Sequence, residues 1–108
     1  MSPSSPDALF SALADPTRRA IFQRLSQEGE LTVRALTDQA GVSQPAVSKH
    51  LAVLKRAGLV NDRHAGRETH YRVQIDGLAP LIDWVGLYAA FWKARLDSLE
   101  DLLQRMDN

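Results

Sequence analysis

The stretch Ser43-Gln44-Pro45-Ala46-Val47-Ser48-Lys49-His50-Leu51-Ala52-Val53-Leu54-Lys55-Arg56, followed by Ala57-Gly58-Leu59-Val60, decides how this chain is read. Ser43 can cap a helix, proline suits its first turn, and Gly58 stops it. At about 100° per residue, Val47, Leu51 and Leu54 fall in one narrow arc and must face a core. Pro45, Lys49, Ala52 and Arg56 fall opposite, with Ser48 on one flank and Ala46 on the other. The segment Ser43–Val60 holds no acidic residue, whereas an ordinary surface helix usually carries Glu/Lys pairs. A plain amphipathic helix explains the apolar arc but not the missing acids. Small residues on the outward face permit close approach, and its basic and hydroxyl groups sit where phosphates or base edges would lie.

Working backward, Gly41-Val42 is a tight turn, and Thr32 caps a preceding helix that runs through Ala40. Asp15-Pro16 starts an earlier helix reaching about Gln27, with Ile21 and Leu25 inward and Gly29 ending it. A short helix over 7–14 carries Leu9, Phe10 and Leu13 on one side. Working forward, the period changes. Leu59–His64 and Thr69–Ile75 read as strands around Ala65-Gly66-Arg67-Glu68, with Tyr71, Val73 and Ile75 inward and His70, Arg72 and Gln74 outward. From Gly77 to about Met106 apolar residues recur at steps of three and four, which predicts one long helix. The expected fold is mainly α with a small two-stranded β-hairpin, in the order α-α-α-α-β-β-α. A helix–turn–helix followed directly by a basic hairpin is the layout of a winged helix-turn-helix, whose second helix enters a DNA major groove.

At 108 residues the chain is expected to form a single domain over 7–108, after a disordered tail over 1–6. There are no cysteines, which removes disulfides, thiolate metal ligands and thiol nucleophiles. The longest uncharged apolar run, Trp84–Trp92, is far shorter than the roughly 20 residues of a membrane span, so a cytoplasmic protein with no membrane partner is expected. No glycine-rich phosphate loop, paired carboxylates or Ser/His/Asp set stands out, so no catalytic residue, cofactor or metal is expected. The 13 basic and 13 acidic residues cancel overall, yet residues 31–75 hold seven of the basic ones against three acidic. A local cationic face on a neutral chain suits a polyanion, because each neutralised phosphate releases counterions.

The candidate DNA contacts are Ser43, Gln44, Pro45, Ala46, Ser48, Lys49 and Arg56 on the helix, with Arg63 and Arg67 on the hairpin. Gln44, near the helix start, can pair bidentately with adenine. Ser43 is explained equally by its cap or by a phosphate contact. Arg63 and Arg67 flank a glycine turn, where they can reach a minor groove or phosphates or simply aid solubility. His50 lies at the core edge, where packing or one backbone hydrogen bond accounts for it.

Four segments, Ala14–Ile21, Gly29–Leu36, Ser43–Leu51 and Leu54–Val60, resemble in order and spacing the ArsR/SmtB family of bacterial winged-helix regulators. The resemblance implies a homodimeric, sequence-specific repressor of double-stranded DNA at an inverted-repeat operator. It also implies dimerisation through the first and last helices, here Leu9, Phe10, Leu81, Val85, Tyr88, Trp92, Leu96 and Leu99 within helices over 7–14 and 77–106. The departures are informative. Family metal sensors often carry Cys-Val-Cys where this chain has Thr32-Val33-Arg34, and neither a hydroxyl nor a guanidinium replaces a thiolate. The last-helix Asp/His ligand pattern is also missing. The expected protein is therefore neither a metal nor a thiol-redox sensor. Trp84, Tyr88, Phe91 and Trp92 either form an aromatic dimer seam or line a pocket for a small apolar effector, and a protein inducer is a further option. The competing class is a winged helix used only for protein–protein contact. Such modules commonly lose the basic face that Lys49, Arg56, Arg63 and Arg67 retain here.

Overall fold

A computed structural model describes residues 6–107. Five helices and a small sheet follow the expected order. α1 (Pro6–Ala14) and α2 (Pro16–Glu28) are joined by Asp15 alone. The Asp15 carboxylate accepts from the Arg18 backbone N–H at 2.9 Å, capping α2. The side chains of α2's first turn reach back to α1. Arg18 Nε and Nη2 donate to the Ala12 and Ser11 carbonyls at 2.6 and 3.4 Å. Arg19 Nη1 donates to the Leu13 and Ala14 carbonyls at 2.9 and 3.3 Å. Asp-Pro-Thr-Arg-Arg thus starts one helix and satisfies the orphan carbonyls of the other.

β1 (Leu31–Thr32) leads into α3 (Val33–Ala40), and α4 (Gln44–Arg56) follows across a turn in which Gly41 adopts φ 71°. Thr32 serves two elements: its Oγ1 accepts from the Ala35 N–H at 3.0 Å, and its backbone pairs in the sheet opposite His70. β2 (Val60–Ala65) and β3 (Glu68–Val73) form an antiparallel hairpin in register from Val60↔Val73 to Ala65↔Glu68. Gly66-Arg67 is its two-residue loop, and the φ of 63° at Gly66 suits the turn twist such loops need. α5 (Ala79–Asp107) closes the chain.

The core lies where α1, α2, α3, α4 and the start of β2 meet. Leu9, Ile21, Leu25, Leu36, Val47, Leu51, Leu54, Leu59 and Val60 are buried there. α5 departs from this body. Leu78 and Leu81 near its start pack on the core and the helix leans on α1, but no residue of α5 is buried. At about 1.5 Å per residue its 29 residues dominate the molecule's 67 Å long dimension.

Three expectations need correction. The sheet has three strands in the order β1-β3-β2, not two. β1 is two residues long, too short to show an alternating pattern, and it exists only because β3 offers an open edge. Ile75 does not face inward: β3 ends at Val73, the chain turns with the Gly77 N–H on the Gln74 carbonyl at 2.9 Å, and Ile75 is 98% exposed. Gly77 is needed in that turn, since a Cβ there would overlap the Gly58 carbonyl oxygen. Of the expected disordered tail over 1–6, residues 1–5 lie outside the described residues, and Pro6 opens α1.

Leu51 is fully buried at the centre of α4's inner arc. Leu51→Ala is expected to destabilise the fold by about 2–5 kcal/mol, read as a lower urea midpoint at unchanged slope. Ala52→Ser, one position round on the exposed face, should leave the midpoint within about 0.5 kcal/mol.

Candidate nucleic-acid interface

Burial of Val47, Leu51 and Leu54 rotates α4 so that Pro45, Lys49, Ala52 and Arg56 are exposed on its far side, with Ser48 exposed on one flank and Gln44 exposed on the first turn. Ala46 is half-buried at the edge of that face. Ser43 caps the helix, its Oγ accepting from the Ala46 N–H at 3.3 Å, and the residue itself remains exposed. Lys49 and Arg56 form no ion pair with any described residue. Lys55 is committed elsewhere: its Nζ lies 2.9 Å from Asp62 Oδ1, tying the end of α4 to β2. That contact holds the Asp62 carboxyl below its usual range and raises the lysine.

The hairpin bends toward the start of α4. An open, polar cleft of about 560 Å³ is lined by Thr32, Val33 and Arg34 of β1 and α3, Gln44 and Ser48 of α4, and Arg67, Glu68 and Thr69 of the wing. The structure therefore brings Gln44, Ser48 and Arg67 to one concavity, with Arg34 as a residue the sequence reading did not single out. In the sequence Arg34 figures as a basic residue and as part of Thr32-Val33-Arg34, and helix periodicity gives no sign that the first turn of α3 sits beside the wing.

Arg63 does not join them. Its guanidinium forks onto Glu30, with Nε–Oε1 2.8 Å and Nη2–Oε2 2.7 Å, and Arg63 does not line the cleft. His70 Nδ1 lies 3.8 Å from the same carboxylate. This bidentate bond lowers the Glu30 pKa and raises that of Arg63. The hairpin register pairs His64 with Thr69, and His64 Nδ1 meets Thr69 Oγ1 at 3.2 Å, so His64 and His70 point to different neighbours. Among the described residues no group of three or more His, Asp or Glu is placed to hold a metal ion. His50 is half-buried, and among the described residues its ring bonds to a side chain, not to the backbone. Its Nδ1 lies 3.2 Å from Arg18 Nη1, and because a guanidinium only donates, the imidazole nitrogen accepts.

A second face lies along α1 and α5. Phe10 stands edge-on to Trp84 at 5.0 Å, Trp84 meets Tyr88 at 4.7 Å, and Phe91 meets Trp92 at 5.6 Å. Val85, Tyr88, Trp92, Leu96 and Leu99 are all exposed, and Leu102, Leu103 and Met106 extend the stripe beyond the residues singled out from sequence. Two of the expected pairing residues belong elsewhere. Leu9 is 1% exposed, spent in the chain's own core, and Leu81 packs half-buried against that core. A nine-residue helix shows its neighbours too few turns for periodicity to separate the inner side from the outer.

A helix-turn-helix domain family matches residues 13–63. The HTH-type transcriptional regulator Rv2034 of Mycobacterium tuberculosis is 53% identical over 77 residues, 71% of each chain. Among solved structures, an ArsR family transcriptional regulator, RHA00566, superposes with a TM-score of 0.75 at 29% identity, covering 86% of this chain and 95% of its own. The homodimeric winged helix-turn-helix DNA-binding domain Mb0332 of Mycobacterium bovis, a possible ArsR-family regulator, superposes at 0.62 with 32% identity, covering 78% of this chain and 77% of its own.

The two acids that brace the wing set an acid limit on it. Folding depresses the pKa of Glu30 and of Asp62 from ordinary values of 4.5 and 3.8. Their contribution is therefore complete above those values and disappears as the pH falls through the lowered, folded ones. Amide-exchange protection in β2 and β3, corrected for intrinsic rates, should hold steady from pH 7 to 5 and fall below about pH 4. In Glu30→Gln this acid loss should be smaller.

Proposed function

The chain belongs to the ArsR family of winged-helix transcriptional regulators, and from that premise we propose that it is a homodimeric repressor reading an inverted-repeat operator through α4 and the wing. The observation that carries this reading is the outward face of α4, free of acidic residues, together with Gln44 and Ser48 of the same helix, which line one cleft with Arg67. Gln44 sits on the first turn of α4, where an amide can pair with a base edge. Ser43, Ser48, Lys49 and Arg56 lie where hydroxyl and cationic groups take phosphates, while Pro45 and Ala46 allow the helix to approach closely. Arg34 of α3 and Arg67 of the wing both line the cleft, and their charge favours a phosphate strand there. Arg63 acts as a strut, its charge already matched by Glu30.

Pairing of two copies would cover Phe10, Val85, Tyr88, Trp92, Leu96 and Leu99, apolar surface that the single chain leaves to solvent. Two-fold symmetry then places two α4 helices on half-sites about 34–36 Å apart, or a multiple of that. A dimer seated on a promoter needs no surface for polymerase, which favours repression over activation. The inducer is not a soft metal or a thiol oxidant, since the chain contains no cysteine to ligate the one or react with the other.

The test is fluorescence anisotropy with DNA from immediately upstream of the chain's own gene against a shuffled duplex, at about 0.15 M salt. A Kd on the order of 10⁻⁸ M with a wide margin over shuffled DNA is expected. Absence of binding to either, even at low salt, overturns the reading in favour of a protein-interaction module. Lys49→Ala should weaken specific and shuffled DNA alike and reduce the salt slope by about one unit, whereas Arg63→Ala should leave that slope unchanged. For pairing, Trp92→Arg puts a charge on the exposed seam. Sedimentation should show monomers, and a persistent dimer would move the interface elsewhere.

A further inference from the structure

α2 and α3 do not close on each other completely. A half-open cavity of about 270 Å³ lies between them. Its floor is Ile21 and Leu36, both buried, and Ala20 and Ala40 line its sides, where longer residues would fill the space. Polar groups gather round it. Arg24 is held in place by two bonds: Nε donates to Glu28 Oε2 at 2.8 Å and Nη1 to the Ala35 carbonyl at 2.9 Å. Its Nη2 has no partner among the described residues, and neither do the Thr17 hydroxyl and the Gln39 amide beside it. No lining residue lies on α1, α4, α5 or the wing. The cavity therefore shares no lining residue with the cleft beside α4 or with the aromatic face.

We propose that this cavity binds a small neutral molecule, a ring-sized apolar body carrying one hydrogen-bond-accepting group that takes Arg24 Nη2. Size sets the first limit. A dry cavity of about 150 Å³ accommodates benzene, so 270 Å³ accommodates a ring with a short polar arm. Charge sets the second. Glu28 already pairs with Arg24 at 2.8 Å, so an incoming carboxylate gives up its hydration for a cation that is already matched. A neutral carbonyl needs only the unpaired donor and loses less water. The site also touches the tie between α2 and α3, because the Arg24–Ala35 bond crosses its wall and α3 leads through Gly41-Val42-Ser43 into α4. Binding therefore shifts how α4 is presented, a consequence that rests on the repressor reading, although the binding itself does not.

The experiment is a titration of benzamide into the ¹⁵N-labelled full chain. Backbone amides of Ala20, Arg24, Leu36 and Ala40 should shift saturably, with half-saturation on the order of 1 mM for a ligand of about nine non-hydrogen atoms. Benzoate should bind at least tenfold more weakly. Ala40→Leu fills the cavity and should abolish the shifts; if that variant fails to fold, Ala20→Leu, on the exposed side of α2, serves the same purpose. No saturation up to roughly 10 mM, shifts centred on residues 84–92, equal binding of benzoate, or full binding by a folded, filled variant would each overturn the proposal. Anisotropy of bound DNA, followed with and without benzamide, separates the two readings. A chain that binds benzamide at these amides but binds no DNA supports the cavity and removes only the repressor.

Discussion

Val47, Leu51 and Leu54 of α4 are each fully buried, and the orientation of everything exposed on that helix follows from them. At about 3.6 residues per turn, three side chains held in one arc leave α4 no freedom to rotate. Lys49, Ala52 and Arg56 must then point away from the core. The same inward arc meets Leu36 of α3, Leu25 of α2 and Leu59 beyond the helix, so α4 is gripped from several sides. A helix that reads base edges has to be placed to within a fraction of an ångström. Close packing supplies that rigidity more reliably than surface contacts.

The junction between α1 and α2 shows how few residues can serve several needs. Asp15 caps one helix while Arg18 and Arg19 close the end of the other. Arg18 also meets His50 of α4, so a single side chain joins the end of α1, the start of α2 and the middle of α4. α1 also carries Phe10, in contact with Trp84 of α5. The aromatic face and the cationic face are thus separated by only a few directly bonded groups.

Electrostatics works by distribution. A net charge of zero conceals a cationic middle, and two acids in and beside it are placed as braces. Glu30 and Asp62 each bind a cation that would otherwise compete for phosphate, Arg63 and Lys55, and so hold the hairpin against the loop before β1 and against the end of α4. Lys49, Arg56, Arg34 and Arg67 have no such partner among the described residues. The distinction between bracing and free cations is spatial. Nothing in the local sequence around Arg63 differs in kind from that around Arg67.

Helix starts and stops, the outward chemistry of α4, the hairpin and the long last helix were all legible in the sequence, because each depends on neighbours within a few residues: Ser43 and Asp15 on the amides just after them, Gly66 on its own backbone, the arc of α4 on its own turn. What only the tertiary structure decided depends on partners far along the chain. β1 exists because β3 presents an edge to Leu31 and Thr32. Glu30 claims Arg63 from 33 residues away, Leu9 turns into the core instead of outward, and Arg34 comes to line the same cleft as Arg67. Short-range capping and periodicity are written in single segments, whereas strand edges, ion-pair partners and cavities come into being only when the segments meet.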